Sequence, residues 1–234
     1  MHFHRLNFIS QLITLYNFRT YLEIGVFFGG VFFQVRADKK VAVDPDFQFG
    51  FFKKFKRMLR NATNFKASFI EKTSDDFFAQ DAAKVFGSSK VDIALIDGMH
   101  EFAYVLRDIE NTLPYLAANG VMILHDCNPP SAMEAVCYKE WRSRPRITKW
   151  NGDVWKSIVY LRSTRPDLCI FTLDCDEGLG FIVHGQAENM LDFTMEQVES
   201  FTYDDLAANR ASWLNLKDPS YFASFFKTGE AARA

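Results

Sequence analysis

Acidic residues end two apolar runs of the sequence, and a histidine follows one of them closely. The run "VDIALID" ends at Asp97, and Gly98 and His100 come soon after it. A later run, "VMILHD", ends at Asp126. An open α/β sheet binds its ligands at the carboxyl ends of its strands. If both runs are buried strands, then Asp97, His100 and Asp126 are candidate catalytic residues, because histidine titrates near neutral pH.

A second group of candidates surrounds two earlier strand-like runs. Glu23, Gly25 and Gly29 form the pattern E-x-G-x-x-x-G in "EIGVFFG", which differs from the dinucleotide fingerprint G-x-G-x-x-G. Asp44 ends the run "KVAVD", where a carboxylate can accept hydrogen bonds from both hydroxyls of a ribose. Together these four residues predict a site for a nucleoside that lacks a pyrophosphate.

Alternating strands and helices must position these residues. Strands are predicted at "TYLEIG", "KVAVD", "FKASFIE", "VDIALID" and "VMILHD". Ser74 and Asp75 are candidates for capping the helix that follows the third strand. The spacing of apolar residues predicts helices over Arg5–Phe18, up to Val35, from Phe51, and over Asp76–Phe86, Glu101–Ala118, Ala132–Trp141 and Val154–Ser163.

The two last strand-like runs, "LCIFTLD" and "GLGFIVHG", are close enough to pair as a hairpin. We therefore predict an α/β fold, with a doubly wound, mostly parallel sheet, an antiparallel C-terminal hairpin strand and a helical tail. Residues 1–185 would form one domain, with the leading helix in residues 1–19. Residues 186–234 would form the tail and pack on that same domain.

Composition excludes several classes of protein. A net charge of −2 over 234 residues disfavours a nucleic-acid partner, since phosphate binding requires clustered positive charge. The four cysteines form no C-x-x-C pair, which disfavours a zinc site or a disulfide framework. No signal peptide is recognised, and no apolar run approaches about 20 residues. We expect a soluble cytoplasmic protein that has reduced thiols and no membrane partner, and we leave a homo-oligomer open.

Phenylalanine is abundant, at 25 residues, and several lie in one basic segment. In "FFKKFKRMLR" the apolar residues follow helical spacing, and basic residues occupy the other positions: the apolar set is Phe51, Phe52, Phe55, Met58 and Leu59. The favoured interpretation is a crossover helix whose apolar face joins the core. The alternative is an amphipathic helix that lies on a membrane or binds a partner.

These motifs together resemble the class I S-adenosylmethionine-dependent methyltransferases, in particular a bacterial group whose fourth strand ends in "IDG-x-H" and whose fifth ends in "HD". The resemblance covers roughly Thr20 to Gly185, including "VLRDIENTLPYLAANGVMILHDCNP" and "NGDVWKSIVYLR". It implies a Rossmann-like fold and S-adenosylmethionine as cofactor. The implied cofactor-binding residues are Glu23, Gly25, Val26, Phe27 and Gly29 on the methionine side, Asp44 at the ribose, Ser74 and Asp75 near the adenine, and Asp97 at the sulfonium.

The resemblance also implies chemistry at the methyl acceptor. His100 would face the sulfonium and the acceptor, either as the general base or as a structural partner of a carboxylate. Asp97, Asp126 and Asn128 offer oxygen ligands for Mg²⁺, similar to the metal-dependent O-methyltransferases. Those enzymes often have a second ligand directly after the fifth-strand aspartate, where this chain has Cys127. Nitrogen ligands from His100 and His125 would favour a transition metal instead.

Residues near the fifth strand and the loop after it are candidates for binding the acceptor: His125, Asn128, Trp150, Asp153 and Trp155. The tryptophans could stack on a ring, or they could simply anchor the loop. We predict methylation of a small molecule, at a sugar or phenolic hydroxyl. The alternatives are a nicotinamide-dependent oxidoreductase and a cofactor-binding scaffold without turnover.

Overall fold

The computed structural model describes residues 4–144 and 149–227. Three parts of the predictions lie outside the described residues. They are the start of the leading segment (residues 1–3), part of the loop that precedes Lys149 (residues 145–148) and the end of the tail (residues 228–234).

Within the described residues, eight strands form one sheet: β1 (Thr20–Ile24), β2 (Lys39–Val43), β3 (Ser68–Ile70), β4 (Val91–Ile96), β5 (Leu116–Leu124), β6 (Leu168–Leu173), β7 (Leu179–His184) and β8 (Leu216–Lys217). Their order is β3-β2-β1-β4-β5-β7-β6-β8. β1 pairs in parallel with β2 and β4, β2 pairs in parallel with β3, and β6 pairs in parallel with β8. The predicted mostly parallel α/β sheet is confirmed.

Helices connect the strands: α1 (Arg5–Tyr16), α2 (Phe51–Arg60), α3 (Ser74–Gln80), α4 (Ala82–Phe86), α5 (Phe102–Thr112), α6 (Tyr138–Ser143), α7 (Trp155–Thr164), α8 (Met195–Ser200), α9 (Tyr203–Trp213) and α10 (Tyr221–Lys227). Side chains cap several of them. Thr194 and Gln197 form a capping box on α8, and Thr202 and Asp205 form one on α9. No helix among the described residues is long and apolar enough to cross a membrane.

The chain divides into two compact units. Unit 1 contains Met1–Gly98 and Arg107–Met122, and unit 2 contains Met99–Leu106 and Ile123–Ala234. In unit 1 every residue of β1 is buried, as expected for a parallel strand covered on both faces. In unit 2 the strands β6 and β7 are almost completely buried. Each unit therefore has a core of its own.

The predicted hairpin is confirmed, whereas the helix predicted to end at Val35 is wrong. β6 and β7 pair antiparallel, with Leu168 opposite His184. Residues 27–34 form turns instead of a helix. The carbonyl groups of Phe32 and Val35 accept hydrogen bonds from the buried Lys40 ammonium group at 2.6 and 2.9 Å. The Lys40 side chain therefore satisfies carbonyl groups at the end of this turn segment.

Two further helix predictions are wrong in their extent. The helix predicted over Glu101–Ala118 ends at Thr112, and β5 already begins at Leu116. Pro114 explains this early end, because proline cannot donate the next helical hydrogen bond. The helix predicted over Ala132–Trp141 is displaced toward the C-terminus, since α6 covers Tyr138–Ser143.

Three further differences concern the cap of α3, the apolar face of α2 and the tail. Ser74 and Asp75 lie in the first turn of α3, and its N-cap is Thr73, whose hydroxyl accepts from the Asp76 amide. The expectation that the apolar face of α2 joins the core is wrong, because α2 has no buried residue. The predicted tail is mostly helical, but it also contributes the short strand β8, which sequence analysis did not predict.

The last helix of the described chain completes an aromatic core in unit 2. Phe171 of β6 and Phe181 of β7 stack with ring centroids 5.2 Å apart. From α10, the Phe225 ring lies 4.9 Å from Phe171, and the Phe222 ring lies 6.0 Å from Phe181. Both α10 residues are buried. This contact makes α10 part of the hydrophobic core of unit 2.

We predict that Phe225→Ala lowers the free energy of unfolding by about 3–5 kcal/mol, because it removes a buried ring and leaves a cavity. Urea denaturation followed by circular dichroism measures this loss. Phe65→Ala is the matched control, since the Phe65 side chain is 56% exposed, and its effect should stay within about 0.5 kcal/mol. Equal losses in the two variants would show that α10 does not stabilise the fold.

Candidate functional site

The turn after β1 packs its backbone directly on the end of β4 in unit 1. The Asp97 amide donates to the Ile24 carbonyl at 2.9 Å, and the Gly25 amide donates to the Val43 carbonyl at 3.0 Å. Gly25 has φ +84°, and a Cβ atom placed there would lie 2.1 Å from the Asp97 carbonyl oxygen. Only glycine fits this position. Three strand ends are therefore held together by backbone contacts.

Asp44, at the end of β2, fixes the rest of this turn. Its carboxylate accepts hydrogen bonds from the amides of Phe27 at 2.7 Å and Asp46 at 2.8 Å. Asp44 and Val26 are buried, whereas Phe27 is exposed. The Gly29 amide closes the turn by donating to the Val26 carbonyl at 2.6 Å. The predicted residues Val26, Phe27, Gly29 and Asp44 thus lie in one hydrogen-bonded loop.

Glu23 lies within β1, where its carboxyl group is buried. The Tyr21 hydroxyl donates a hydrogen bond to it. Burial raises the pKa of Glu23 from 4.5 to about 8, although the Tyr21 hydrogen bond and the charge of Arg5 oppose this rise. In the protein without ligand, Glu23 is therefore mostly protonated at neutral pH. A cation bound beside it would favour the ionised form.

Asp97 forms an ion pair with a residue that sequence analysis did not identify. Arg5 of α1 lies with its Nη2 atom 3.4 Å from Asp97 Oδ2, and both side chains are largely buried. The leading helix thus contributes a cation to the end of β4. Nothing in the spacing of "MHFHRLNF" marks Arg5 for this position, because the contact joins segments that are distant in the sequence.

Ser74 and Asp75 have partners on α5, in the part that belongs to unit 1. Arg107 Nη2 lies 3.0 Å from Asp75 Oδ2, and both side chains are exposed. Ser74 hydrogen-bonds the carboxyl group of Asp108, which is buried. Burial raises the pKa of Asp108 from 3.8 to about 7. Sequence analysis did not select Asp108, although an acid on the inner face of an amphipathic helix is an identifiable signal.

The position of the His100 ring in unit 2 is fixed by contacts on its Nδ1 side. Nδ1 lies 2.7 Å from the Trp150 carbonyl oxygen and 3.1 Å from Asp126 Oδ2. A carbonyl oxygen can only accept, so Nδ1 carries the proton, and the lone pair of the neutral ring lies on Nε2. The Trp150 ring stacks on the imidazole at 5.0 Å. These contacts hold the imidazole ring in one orientation.

A second glycine brings the loop after α6 against His100. Gly152 has φ +61°, and a Cβ atom there would lie 1.6 Å from the His100 carbonyl oxygen. The neighbouring Asp153 amide donates to the same oxygen at 3.2 Å. Any side chain at position 152 would force the loop away. This close approach places Trp150 and Asn151 beside the residues that follow β4.

Three side chains lie beside the Asp126 carboxylate in unit 2. Its Oδ1 atom accepts from the Asn151 amide at 2.7 Å, and its Oδ2 atom lies 3.0 Å from His125 Nδ1 as well as near His100. Asp126 is buried and has φ +62°, a left-handed conformation that is uncommon outside glycine. The strained backbone aims the carboxylate at the two histidines.

The remaining acceptor candidates have different surroundings in unit 2. Asp153 Oδ1 accepts from the Phe102 amide at 2.6 Å and so caps α5. Trp155 is buried and packs on Trp213, with ring centroids 6.2 Å apart. The Asn128 amide oxygen accepts from Arg210, and its nitrogen donates to Asp174 at 2.9 Å. Asn128 also lines a surface cavity of about 370 Å³, together with Asp174, Glu177 and Arg210.

Within each unit the structure thus assembles some of the predicted residues. Gly25 contacts Asp97 and Asp44 holds Phe27 in unit 1, while His100, Asp126 and Trp150 form one cluster in unit 2. Sequence analysis missed Asn151, which orients Asp126. Asn151 follows Trp150 directly and begins the quoted "NGDVWKSIVYLR" segment, and this position was the available signal.

We predict that the free energy of unfolding falls as pH rises from 4.5 to about 8, because the folded chain keeps the Glu23 proton that the unfolded chain releases. The fall due to Glu23 is at most about 5 kcal/mol. Denaturant titrations across this range should show a smaller slope for Glu23→Gln. Glu71→Gln, an exposed control, should keep the wild-type slope. Identical slopes in all three proteins would contradict the raised pKa.

The central segment of the chain is similar to a known family of domains. Residues 22–127, which include Glu23, Gly25, Asp44, Asp97, His100 and Asp126, match a family model described as a methyltransferase domain. A search of curated proteins by sequence found no match.

Solved structures with the same fold are distant in sequence. The O-methyltransferase TomG from Streptomyces achromogenes, in complex with SAM, is 12% identical, with 77% of this chain and 79% of that chain covered and a TM-score of 0.54. An O-methyltransferase from Bacillus cereus, in complex with SAH, is 15% identical, with 76% and 78% covered and a TM-score of 0.52. An rRNA methylase from Streptococcus thermophilus is 12% identical, with 77% and 94% covered and a TM-score of 0.51. Residues 22–127 therefore resemble a methyltransferase domain, and the chain shares its fold with these methyltransferases.

Proposed function

We propose that this protein transfers a methyl group from S-adenosylmethionine to a hydroxyl group of a small molecule, with His100 as the base. The observation that carries the proposal is the contact between His100 Nδ1 and the Trp150 carbonyl oxygen. Its Nδ1 proton is held by the Trp150 carbonyl at 2.7 Å and by Asp126, so the neutral ring has its lone pair on Nε2. A hydroxyl acceptor must lose a proton during methyl transfer, and this lone pair can accept it.

The loop of unit 1 fits the cofactor. Gly25 removes the side chain that would fill the space beside Asp97, and Asp44 presents a buried carboxylate whose orientation is fixed by two backbone amides. We propose that Asp44 accepts hydrogen bonds from the ribose hydroxyls. Glu23 and Asp97 would provide negative charge for the cationic methionine part. When bound, S-adenosylmethionine supplies a methyl group on a positively charged sulfur.

Asp126 would act as the positioning residue for the base. It holds His100 in one orientation, and its negative charge stabilises the imidazolium that forms when Nε2 takes the proton. Asn151 and His125 keep the carboxylate in place. We propose this arrangement in preference to a direct role for Asp126 at the acceptor, because its carboxylate is buried and already accepts a hydrogen bond from Asn151.

A metal-assisted variant of the same reaction has specific support. In unit 2 a ring nitrogen of His100 and a carboxylate oxygen of Asp126 lie close enough together to bind one metal ion. We propose these two residues as its ligands and leave Asn128 out, because the Asn128 oxygen accepts from the Arg210 guanidinium. A nitrogen ligand beside a carboxylate would suit Mn²⁺ or another transition metal better than Mg²⁺. Such an ion would lower the pKa of the acceptor hydroxyl.

Aromatic side chains favour a ring-shaped acceptor. The Trp150 ring stacks with the His100 ring, at 5.0 Å, and with the Trp141 ring, at 5.1 Å, and the exposed Tyr138 ring lies 5.3 Å from Trp150. Such surfaces stack on phenols and on the apolar faces of sugars. We therefore propose a phenolic or sugar hydroxyl as the acceptor. Asp153 and Trp155 are left out of this proposal, because the first caps α5 and the second is buried.

The remaining proposals concern the setting of the enzyme. The net charge of −2 supports a small molecule in preference to nucleic acid as the substrate. A cytoplasmic location fits the four cysteines, none of which forms a disulfide. We also propose that the tail from residue 186 belongs to the same domain as the strands of unit 2. The Arg162 guanidinium supports this, since it donates to the Trp213 carbonyl at 2.9 Å.

We predict that S-adenosylhomocysteine binds the wild-type protein and that Asp44→Ala weakens binding about 10- to 100-fold, through the loss of hydrogen bonds to a charged acceptor. Isothermal titration calorimetry measures both. Asp46→Ala is the matched control, because Asp46 is exposed and lies two residues away. Absence of binding to the wild-type protein at millimolar ligand would overturn the proposal, and binding of NADH instead would favour the oxidoreductase.

We predict that His100→Gln lowers kcat about 10²- to 10⁴-fold on an acceptor identified from a panel of phenols and sugars, with unchanged affinity for S-adenosylhomocysteine. Asp126→Asn should lower kcat less, and His184→Gln, a control in unit 2, should have no effect. Activity measured with and without a chelator distinguishes the metal-assisted mechanism from the mechanism without metal. Full activity in His100→Gln would exclude His100 as the base. Cofactor binding by the wild-type protein without methyl transfer to any acceptor would favour a cofactor-binding scaffold.

A further inference from the structure

Helix α2 packs on unit 1 through its cations and not through its apolar side chains. The Lys54 ammonium lies 3.7 Å from the centroid of the Phe69 ring, and the Arg57 guanidinium lies 5.2 Å from that of Phe33. Arg57 also donates a hydrogen bond to the Phe28 carbonyl. Cation–π contacts of this kind stabilise a packed face. The basic side of α2 therefore faces the body of unit 1.

The apolar side of α2 consequently faces solvent. Phe51 is 76% exposed, Phe52 86%, Phe55 51% and Leu59 64%. At about 3.6 residues per turn, these four side chains form one continuous stripe, which we call the apolar ridge. The rings of Phe51 and Phe55 lie nearly parallel, with centroids 6.4 Å apart. Contiguous exposed patches of large apolar residues mark interaction surfaces.

Exposed basic residues border the apolar ridge. Lys53, Lys56 and Arg60 are exposed on α2, and the sequence of the helix, "FFKKFKRMLR", contains no acidic residue. The chain as a whole has a net charge of −2, so this concentration of positive charge is local. The occupant of the surface must therefore combine an apolar layer with negative charge.

We propose that the apolar ridge and its basic border bind the surface of an anionic lipid bilayer. A lipid interface offers anionic headgroups to Lys53, Lys56 and Arg60 and an acyl boundary to the phenylalanines, which is the pattern of helices that lie in the membrane plane. A symmetric contact between two copies would oppose the same basic residues. Nucleic acid would match the charges and leave the apolar ridge in water. This inference is independent of the proposed reaction.

Vesicle flotation tests the proposal with the full-length protein. Wild-type protein should float with vesicles that contain phosphatidylglycerol, bind weakly to pure phosphatidylcholine, and lose affinity as salt increases. Phe51→Ser combined with Phe55→Ser should weaken binding at least about tenfold. Lys53→Gln, Lys56→Gln and Arg60→Gln together should weaken it about a hundredfold, at about fivefold for each charge. Leu15→Ser combined with Met190→Ser, at exposed sites elsewhere, should bind as wild type.

Three outcomes would overturn the proposal. The first is that the wild-type protein does not float with anionic vesicles. The second is that the variant of the apolar ridge and the variant of its basic border both float as well as wild type. The third is a wild-type dimer that the Phe51→Ser and Phe55→Ser pair converts to a monomer without any vesicle binding, which would assign the ridge to a second copy. Circular dichroism melting of each variant, expected to be unchanged for these exposed positions, ensures that a loss of binding does not reflect unfolding.

Discussion

Backbone contacts that only glycine permits are the constraint on which the candidate residues of each unit depend. In unit 1 Gly25 lies against the Asp97 carbonyl, and in unit 2 Gly152 lies against the His100 carbonyl. A methyl group on Gly25 would push the turn after β1 away from Asp97, and one on Gly152 would push its loop away from His100. The orientation of the neighbouring side chains follows from these two contacts, since each loop has little freedom left once its backbone is fixed.

Buried charged and polar groups in both units are held by partners instead of being excluded from the interior. Glu23 accepts a hydrogen bond from the Tyr21 hydroxyl, Asp126 accepts one from Asn151 and lies beside two histidines, and Lys40 donates to backbone carbonyls. Burial of such groups costs free energy, which the hydrogen bonds offset only in part. Their presence at strand ends therefore supports a functional role, because apolar residues would stabilise these positions at least as well.

The similarity to a methyltransferase domain and the shared fold support the proposed class of reaction, and the contacts around His100 support oxygen as the proposed acceptor atom. An rRNA methylase shares the fold with O-methyltransferases, so the sheet alone does not select a substrate. The aromatic residues beside His100 and the outward apolar face of α2 are features of this chain's own side chains. They are the surfaces from which the acceptor and the location of the enzyme are inferred.

The sequence by itself determined the strands, the closing hairpin and the acidic residues at the strand ends, because buried parallel strands leave a strong apolar pattern and end at identifiable residues. It did not determine the turns at residues 27–34, whose last carbonyl groups accept from Lys40, or the pairing of Arg5 with Asp97. Periodicity identified the apolar face of α2 but not its direction, since Lys54 and Arg57 form the contacts with the body. The tertiary structure alone decided these points, because each depends on contacts between residues distant in the sequence.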